Sequence, residues 1–560
     1  MRITGDTTAL LRPPPFHRVM PVLAVKQDGA TSERVCGSGR ELDGLAARIV
    51  RQRVGGCFWG RPAGARRPVV VYGPGWGAGS RPIRSILRDV FAAHAAQDVV
   101  LVCGRRQGAL AAWGRRHGLA VAPADTDPHD LLDGATCVYA HPTTDLARLA
   151  VLRGLAVKGI PDGMSLAGIM TDIANRTDYI DPFTGAPMAC ADAITLLADW
   201  RRTIMANRRI GACLGMSRWK RRRIADFLAT APGHPPFRPD IRAGQRGAVA
   251  VWATRQPPGL EDAARRVGIP LWRVEDGFIR SIGLGSALTP PSSITIDTRG
   301  MYYDPAQESD LEHILATSPF DDVLRARARK LMDALVLLGI SKYGPGRASA
   351  LPASWDAAGR RTILVPGQVA DDQSVRRGGG RIAGNLELLQ AVRESNPDAF
   401  ILYRPHPDVE ATHRVGHVDD VLVLRLADRI DRGGAITDTI ARVDEVHTLT
   451  SLAGFEALMR GRRVVTYGAP FYAGWGLTVD RGDVPPRRTR RLSLEELVAG
   501  VLILFPRYLD PVTRLPCSPE VLIERLQDAR VWRPTWWMRA LALQTGWRKA
   551  VARYRAAVAS

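Results

Sequence analysis

Short apolar runs alternate with amphipathic stretches along most of this chain. Pro68-Val69-Val70-Val71-Tyr72 predicts a buried strand, Gly73-Pro74-Gly75-Trp76-Gly77 a glycine-rich turn, residues 83–95 an amphipathic helix, and Val99-Val100-Leu101-Val102 a second strand. Strand, loop, helix and strand in that order is the βαβ rhythm of a parallel sheet. The rhythm returns at 248–252, 259–267 and 270–274, and again at 362–365, 385–395 and 400–403. Residues 1–60 show no sustained periodicity and are expected to form a poorly ordered lead. No apolar run approaches the roughly 18 residues of a spanning helix; the longest candidate, 498–505, stops at Pro506. Pro13-Pro14-Pro15 and His17-Arg18 stand where a signal peptide needs an apolar run, so a cytoplasmic protein is expected.

A repeat underlies the pattern. Residues 67–80 can be laid on 361–374, 140–157 on 447–464 with Gly154 on Gly461, and 179–185 (YIDPFTG) on 508–514 (YLDPVTR), in the same order. The first copy keeps the apolar spacing and drops polar residues. Ala78 stands for Asp372, Leu149 for Glu456, Gly104-Arg105-Arg106 for the neighbourhood of His406-Pro407-Asp408, and Phe471-Tyr472-Ala473-Gly474-Trp475-Gly476 has no counterpart. Such a copy can still pack but is expected to have lost its chemistry.

Composition narrows the function classes. Across 560 residues, 77 Lys and Arg against 56 Asp and Glu give a formal charge of +21, a field that attracts phosphate-bearing molecules or an anionic membrane face. No Walker loop, GxGxxG after a strand, HExxH or nucleic-acid module signature is present, so nucleic acid is not expected as a partner. The seven cysteines form no CxxC pair, which argues against a disulfide framework or a zinc site. Between 531 and 560 there is no acid, and arginines alternate with Trp532, Trp536, Trp537 and Trp547. That mixture suits a bilayer interface, or a closing helix with its arginines in water.

Polar clusters sit where predicted strands of the second copy end, the rim at which open α/β sheets bind ligands. Glu275-Asp276 with Arg280 follows 270–274, and reads as a ligand loop or as a solvated turn with an ion pair. Asp371-Asp372-Gln373-Ser374 follows 362–365; one acid can attack an anomeric carbon, or can simply face a helix N-terminus. Arg404-Pro405-His406-Pro407-Asp408 offers donors to phosphate or carboxylate, or a His that caps its turn. Thr450-Ser451 opens a helix, which fits capping as well as phosphate binding. Glu456, among Phe455, Leu458 and Met459, reads as a solvated acid or a ribose ligand.

With these clusters in place, the chain resembles the capsular polysaccharide β-Kdo transferase family (KpsC/LipA, capsule biosynthesis and export proteins). The resemblance runs from about 245 to 520. It rests on VEDGFIRSIGLG at 274–285, MYYD at 301–304, VPGQVADDQSV at 365–375, NLELL at 385–389, RPHPD at 404–408, EVHTLTSLAGFEAL at 445–458 and PFYAGWGLT at 470–478. It implies an α/β fold of GT-B type, two facing Rossmann-like domains preceded by a degenerate Rossmann-like half-module. The implied division is a lead at 1–60, a first-module remnant plus connector at 61–235, an N-terminal Rossmann-like domain at 236–355, a nucleotide-binding domain at 356–520, and a basic Trp-rich C-terminal helix at 521–560.

The resemblance also implies a retaining glycosyltransferase that moves Kdo from CMP-β-Kdo onto a (lyso)phosphatidylglycerol-linked Kdo acceptor for capsule export. Asp372 would be the nucleophile and Glu275 the general acid/base. Arg404, His406, Asp408, Thr450, Ser451 and Glu456 would hold CMP and the Kdo carboxylate, with Arg280, Gln368 and Ser374 as further binding residues. No metal or cofactor is implied. The implied partners are the CMP-Kdo donor, a glycolipid acceptor, the inner membrane face on which the protein would be peripheral, a second Kdo transferase and the capsule export machinery. Two departures stand out: Gly344 after Ser341-Lys342-Tyr343, where the family has Asn, and Arg404 where it has Lys. A non-catalytic assembly scaffold and a transferase of another CMP-sugar are the competing readings.

Overall fold

The apolar runs do form strands, and the chain folds into two compact units, residues 1–209 with 228–235 and residues 210–227 with 236–560. The computed structural model describes residues 9–26, 39–76, 82–158, 164–242, 244–282, 289–342, 344–345, 355, 357–410, 415–528 and 530–532. Gly283, Gly285, Tyr343 and the Trp- and Arg-rich residues beyond 532, on which the bilayer-interface and closing-helix readings rest, lie outside them.

In the first unit a five-stranded, all-parallel sheet runs in the order Ala120–Pro123, Val99–Cys103, Val69–Tyr72, Cys137–Tyr139, Ala156–Lys158. A central parallel strand is covered on both faces and needs a continuous apolar run; Val69, Val70 and Val71 supply it and are buried. The expectation of a poorly ordered lead is corrected for residues 9–26 and 39–60; residues 1–8 and 27–38 of that lead lie outside the described ones. Gly39–Gln52 is an α-helix with Ala46 and Ile49 buried, Leu10 and Leu11 are buried, and Arg12 pairs with Asp145 at 2.6 Å. Leu42, Leu45, Ala46 and Ile49 carry a helical stripe that the interleaved charges disguise.

The second unit holds two six-stranded sheets. One runs Arg429–Ile430, Phe400–Arg404, Thr362–Pro366, Glu445–Thr448, Arg463–Thr466, Val479–Asp480, all parallel. The strand order reverses about Thr362–Pro366, the switch point at which α/β sheets open a ligand crevice. The other sheet is mixed, in the order Pro516–Cys517, Arg507–Leu509, Ser293–Asp297, Leu271–Asp276, Ala248–Trp252, Ile210–Leu214. Here two expected boundaries move. Ile210–Leu214 pairs in parallel with Ala248–Trp252, so 210–227 belongs with the second unit, not with the front of the chain. Arg507–Leu509 returns antiparallel to Ser293–Asp297, so the segment assigned to the nucleotide-binding domain completes the other sheet. Trp532 donates its Nε1–H to the Arg525 carbonyl at 2.8 Å and packs against the core of this unit.

The repeat is carried element by element. The helix Asp145–Leu152, capped by Thr144, corresponds to Leu452–Met459, capped by Ser451. Gly154 and Gly461, which end these turns, have φ of 70° and 68°. In YIDPFTG the Tyr179 hydroxyl donates to the Ile173 carbonyl at 2.9 Å; in YLDPVTR the Tyr508 hydroxyl donates to Leu502 at 2.7 Å. Gly185 and Arg514, at equivalent turn positions, both have positive φ, 77° and 62°.

Candidate active site

Strands Thr362–Pro366, Phe400–Arg404 and Glu445–Thr448 end side by side, and their loops leave together; Gly367 N donates to the Arg404 carbonyl at 2.8 Å. Gln368 is the hub. Its backbone N–H donates to Asn385 Oδ1 at 2.8 Å and its Nε2 to Thr450 Oγ1 at 2.9 Å, while its Oε1 accepts from Thr450 N at 3.0 Å. Thr450 Oγ1 lies 3.3 Å from Ser374 Oγ, which donates to Asp372 Oδ1 at 2.9 Å. One hydrogen-bonded chain therefore joins Gln368, Thr450, Ser374 and Asp372.

Asp372 serves as the N-cap of the helix Gln373–Gly378, its Oδ1 accepting from Ser374 N at 2.9 Å. That capping does not use up the carboxylate: among the described residues no donor reaches Oδ2. Asp371 is exposed beside it. Ser451 caps the neighbouring helix, its Oγ accepting from Ala453 N at 3.2 Å. Tyr472 of the FYAGWG segment donates its hydroxyl to the Ser451 carbonyl at 2.5 Å and so fixes that helix entrance. Tyr472 can come so close because residue 454 is glycine; a Cβ there would stand 2.3 Å from Tyr472 Oη. Gly454→Ala is expected to lower stability by about 1–3 kcal/mol through overpacking, read as a lower urea midpoint.

Glu275 is the penultimate residue of the strand Leu271–Asp276 of the mixed sheet. Its Oε1 accepts from Asp276 N at 3.1 Å, and its buried Oε2 has no partner among the described residues. Desolvation, with the neighbouring Asp276 charge adding to it, pushes this carboxyl up to about 7. Lys220 reaches the same corner, 3.5 Å from Asp276 Oδ1 and 3.5 Å from the centroid of the Trp252 ring. Tyr302 and Tyr303 feel the charge of both clusters. Burial raises both phenols, and the charges of Glu275 and Asp372 raise each of them further. Phe278, Tyr302 and Phe471 form the aromatic floor, with Phe278 centred 4.9 Å from both other rings.

Glu456 does not lie on a solvated face. It is 6% exposed, its Oε1 accepts from Lys342 N at 3.3 Å, and desolvation pushes its carboxyl up to about 7. The positive charge of Lys342 acts on Glu275 as well as on Glu456. A carboxyl raised from 4.5 holds its proton in the folded state, so its stabilising contribution is full below pH 4.5 and is lost as pH rises through about 7. Glu456→Gln is expected to remove up to ~3 kcal/mol of that loss, seen as a smaller difference between urea unfolding free energies at pH 5 and pH 8.

Two expected binding residues are otherwise employed. Arg280 is 1% exposed; it donates to Asp276 Oδ2 at 2.9 Å, Ser281 Oγ at 2.8 Å and the Thr289 carbonyl at 2.7 Å. It orients Asp276 from inside the fold. Arg404 donates to Asp431 Oδ2 at 2.8 Å, to the Gly433 carbonyl at 2.7 Å and to the Gly434 carbonyl at 2.5 Å, fixing the turn beyond the neighbouring strand. His406 accepts from Asp408 N at 3.1 Å through Nδ1. This loop adjoins the Gln368 loop through the Gly367 N–H bond to the Arg404 carbonyl. The sequence alone does not single out Lys220, Tyr302, Tyr303, Lys342 or Asn385 as site residues, although MYYD at 301–304, Ser341-Lys342-Tyr343 and NLELL at 385–389 contain four of them.

Two Rossmann-like sheets in one unit, with polar loops at the switch point of the parallel one, define an α/β protein of GT-B type. Among the described residues no helix is long and apolar enough to cross a membrane. Residues 247–337 and 342–508 match the capsule polysaccharide biosynthesis protein family. The capsule polysaccharide modification protein LipA of Neisseria meningitidis serogroup A is 36% identical over 459 residues, covering 76% of this chain and 64% of that protein. The lipopolysaccharide-processing protein LpsZ of Rhizobium meliloti is 35% identical over 376 residues, 65% of this chain and 83% of LpsZ. Among solved structures, the β-Kdo 2,4 transferase of Thermosulfurimonas dismutans KpsC is similar with a TM-score of 0.50 and 31% identity, over 56% of this chain and 98% of that one. The chain belongs to the capsule polysaccharide biosynthesis protein family. It spans 64% of the length of the LipA proteins it matches.

Proposed function

We propose that the second unit is a retaining glycosyltransferase that moves Kdo from CMP-β-Kdo onto a (lyso)phosphatidylglycerol-linked Kdo acceptor in capsule linker synthesis. The observation that carries this reading is the pair of carboxyl groups: Asp372 with a free oxygen at the switch point, and Glu275 pushed up to about 7, both acting on Tyr302 and Tyr303. Family membership and the likeness to a β-Kdo transferase support the donor.

In the first step an oxygen of Asp372 forms a bond to C2 of Kdo as the bond from C2 to the phosphate oxygen breaks, and CMP leaves with the electron pair. In the second an acceptor hydroxyl attacks C2 from the opposite side, the ester to Asp372 breaks, and the hydroxyl proton passes to Glu275. Two inversions give retention. A base with a pKa near the working pH is suited to the proton transfer. Thr450, Ser374 and the N-terminus capped by Ser451 would receive the CMP phosphate, with Gln368 holding Thr450 in place. His406, Asp408 and Glu456 complete the donor side, while Arg280 and Arg404 act by positioning Asp276 and the turn at Asp431. Lys220 and Lys342 supply positive charge beside Glu275, suited to the Kdo carboxylate. The remaining partners proposed are the inner membrane face, which would make the protein a cytoplasmic peripheral one, a second Kdo transferase and the export machinery.

Release of CMP from CMP-Kdo generated in situ, with a lipid-linked Kdo acceptor and with CMP-sialic acid as the competing donor, tests the reading. Acceptor-dependent CMP release from CMP-Kdo alone is expected. Preference for CMP-sialic acid would reassign the donor, and no release from either donor would favour an assembly scaffold.

A further inference from the structure

We propose that the first unit has its own binding site for a phosphorylated small molecule, although it has lost the polar motifs of the second. A cavity of about 660 Å³ lies within this unit, a volume in the range of small-molecule sites. It reaches the carboxyl ends of three adjacent parallel strands, at Tyr72, Cys103 and Pro123, the edge of an α/β sheet at which ligands bind. Its floor is apolar, with Val121, Leu131 and Leu146.

The charge of the lining identifies the ligand. Arg12, Arg61, Arg105 and Arg115 face only two acids, Asp125 and Asp145. Arg12 pairs with Asp145 at 2.6 Å and Arg61 with Asp125 at 3.2 Å. Arg105 and Arg115 have no carboxylate partner among the described residues, so the lining carries an excess of two positive charges. Two hydrated guanidinium groups at the rim of a low-dielectric cavity focus a positive field into it and raise the local concentration of anions. A monocarboxylate would neutralise one of them, whereas a phosphomonoester or diphosphate can neutralise both, and guanidinium pairs match its oxygens in geometry. Position strengthens the case. Arg105 follows the strand that corresponds to Phe400–Arg404 of the second copy, so cationic residues have replaced the polar motif at the same sheet edge.

The site stands apart from the transferase reading, and the test keeps the two separate. Hydrogen exchange of the full chain carrying Asp372→Asn is followed with millimolar CMP and, in a second arm, inorganic pyrophosphate. Slower exchange at 103–106 and 121–126 with at least one probe is expected; both probes together indicate that the phosphate suffices, CMP alone that a nucleoside is also read. Adding Arg105→Glu and Arg115→Glu, both on exposed side chains, should weaken that protection at least about tenfold and leave any CMP protection at 448–452 unchanged. No slowing with either probe, or equal slowing in the arginine variant, would overturn the proposal.

Discussion

Asp372→Asn is expected to reduce Kdo transfer at least about a thousandfold while the protein stays folded, since losing a nucleophile removes the covalent route. The choice of Asn follows from the local structure. Asp372 caps the helix Gln373–Gly378 through Oδ1, and Asn caps a helix as well as Asp does. Its amide oxygen can keep the bonds from Ser374 N and Oγ, so the variant deletes the attacking carboxylate and little else. Asp372→Ala removes both functions and should also cost about 1 kcal/mol of stability. Steady-state CMP release, read beside the melting temperature of each variant, separates the two effects. Transfer near the wild-type rate in Asp372→Asn would leave the residue a cap only.

Glu275→Gln is expected to slow transfer about 10²–10⁴-fold, the range for loss of a general acid or base. The pH profile gives the sharper reading. Burial pushes the Glu275 carboxyl up to about 7, so below that pH the group is protonated and cannot accept the acceptor proton. The wild-type kcat should therefore rise with pH and level off above about 7, and the residual rate of Glu275→Gln should lack that limb. Lys220→Met is a companion test. Removing the positive charge near Asp276 and Glu275 should move the limb to higher pH, because that charge holds the Glu275 carboxyl down.

Much of the fold was legible because parallel strands announce themselves as apolar runs, as at Val69–Tyr72 and Thr362–Pro366. The helix Gly39–Gln52 was not, since charged residues break its stripe, and a two- or three-residue strand such as Arg507–Leu509 has no room for a pattern. The repeat signal was strong at YIDPFTG and YLDPVTR because a turn with positive φ and a tyrosine bonded six residues back constrain the sequence tightly. In the site, Glu275 and Asp372 were legible as polar residues at strand ends, whereas Gln368 was marked only by the VPGQVADDQSV motif of the resemblance. The arginines were not sortable, because an arginine that holds carbonyls, as Arg404 does at Gly433 and Gly434, has the same local sequence as one that awaits phosphate. Burial of Glu456 and the approach of Lys220 to Asp276 depend on contacts between residues far apart in the chain, which no local pattern records.

The most direct test of the proposed mechanism is the intact mass of the protein after brief exposure to CMP-Kdo without acceptor. The wild type is expected to gain the mass of one Kdo residue, to lose it when the lipid-linked acceptor is added, and Asp372→Asn is expected to gain nothing. An adduct of equal abundance in Asp372→Asn, or acceptor-dependent transfer by a wild type that never gains mass, would contradict a covalent intermediate on Asp372.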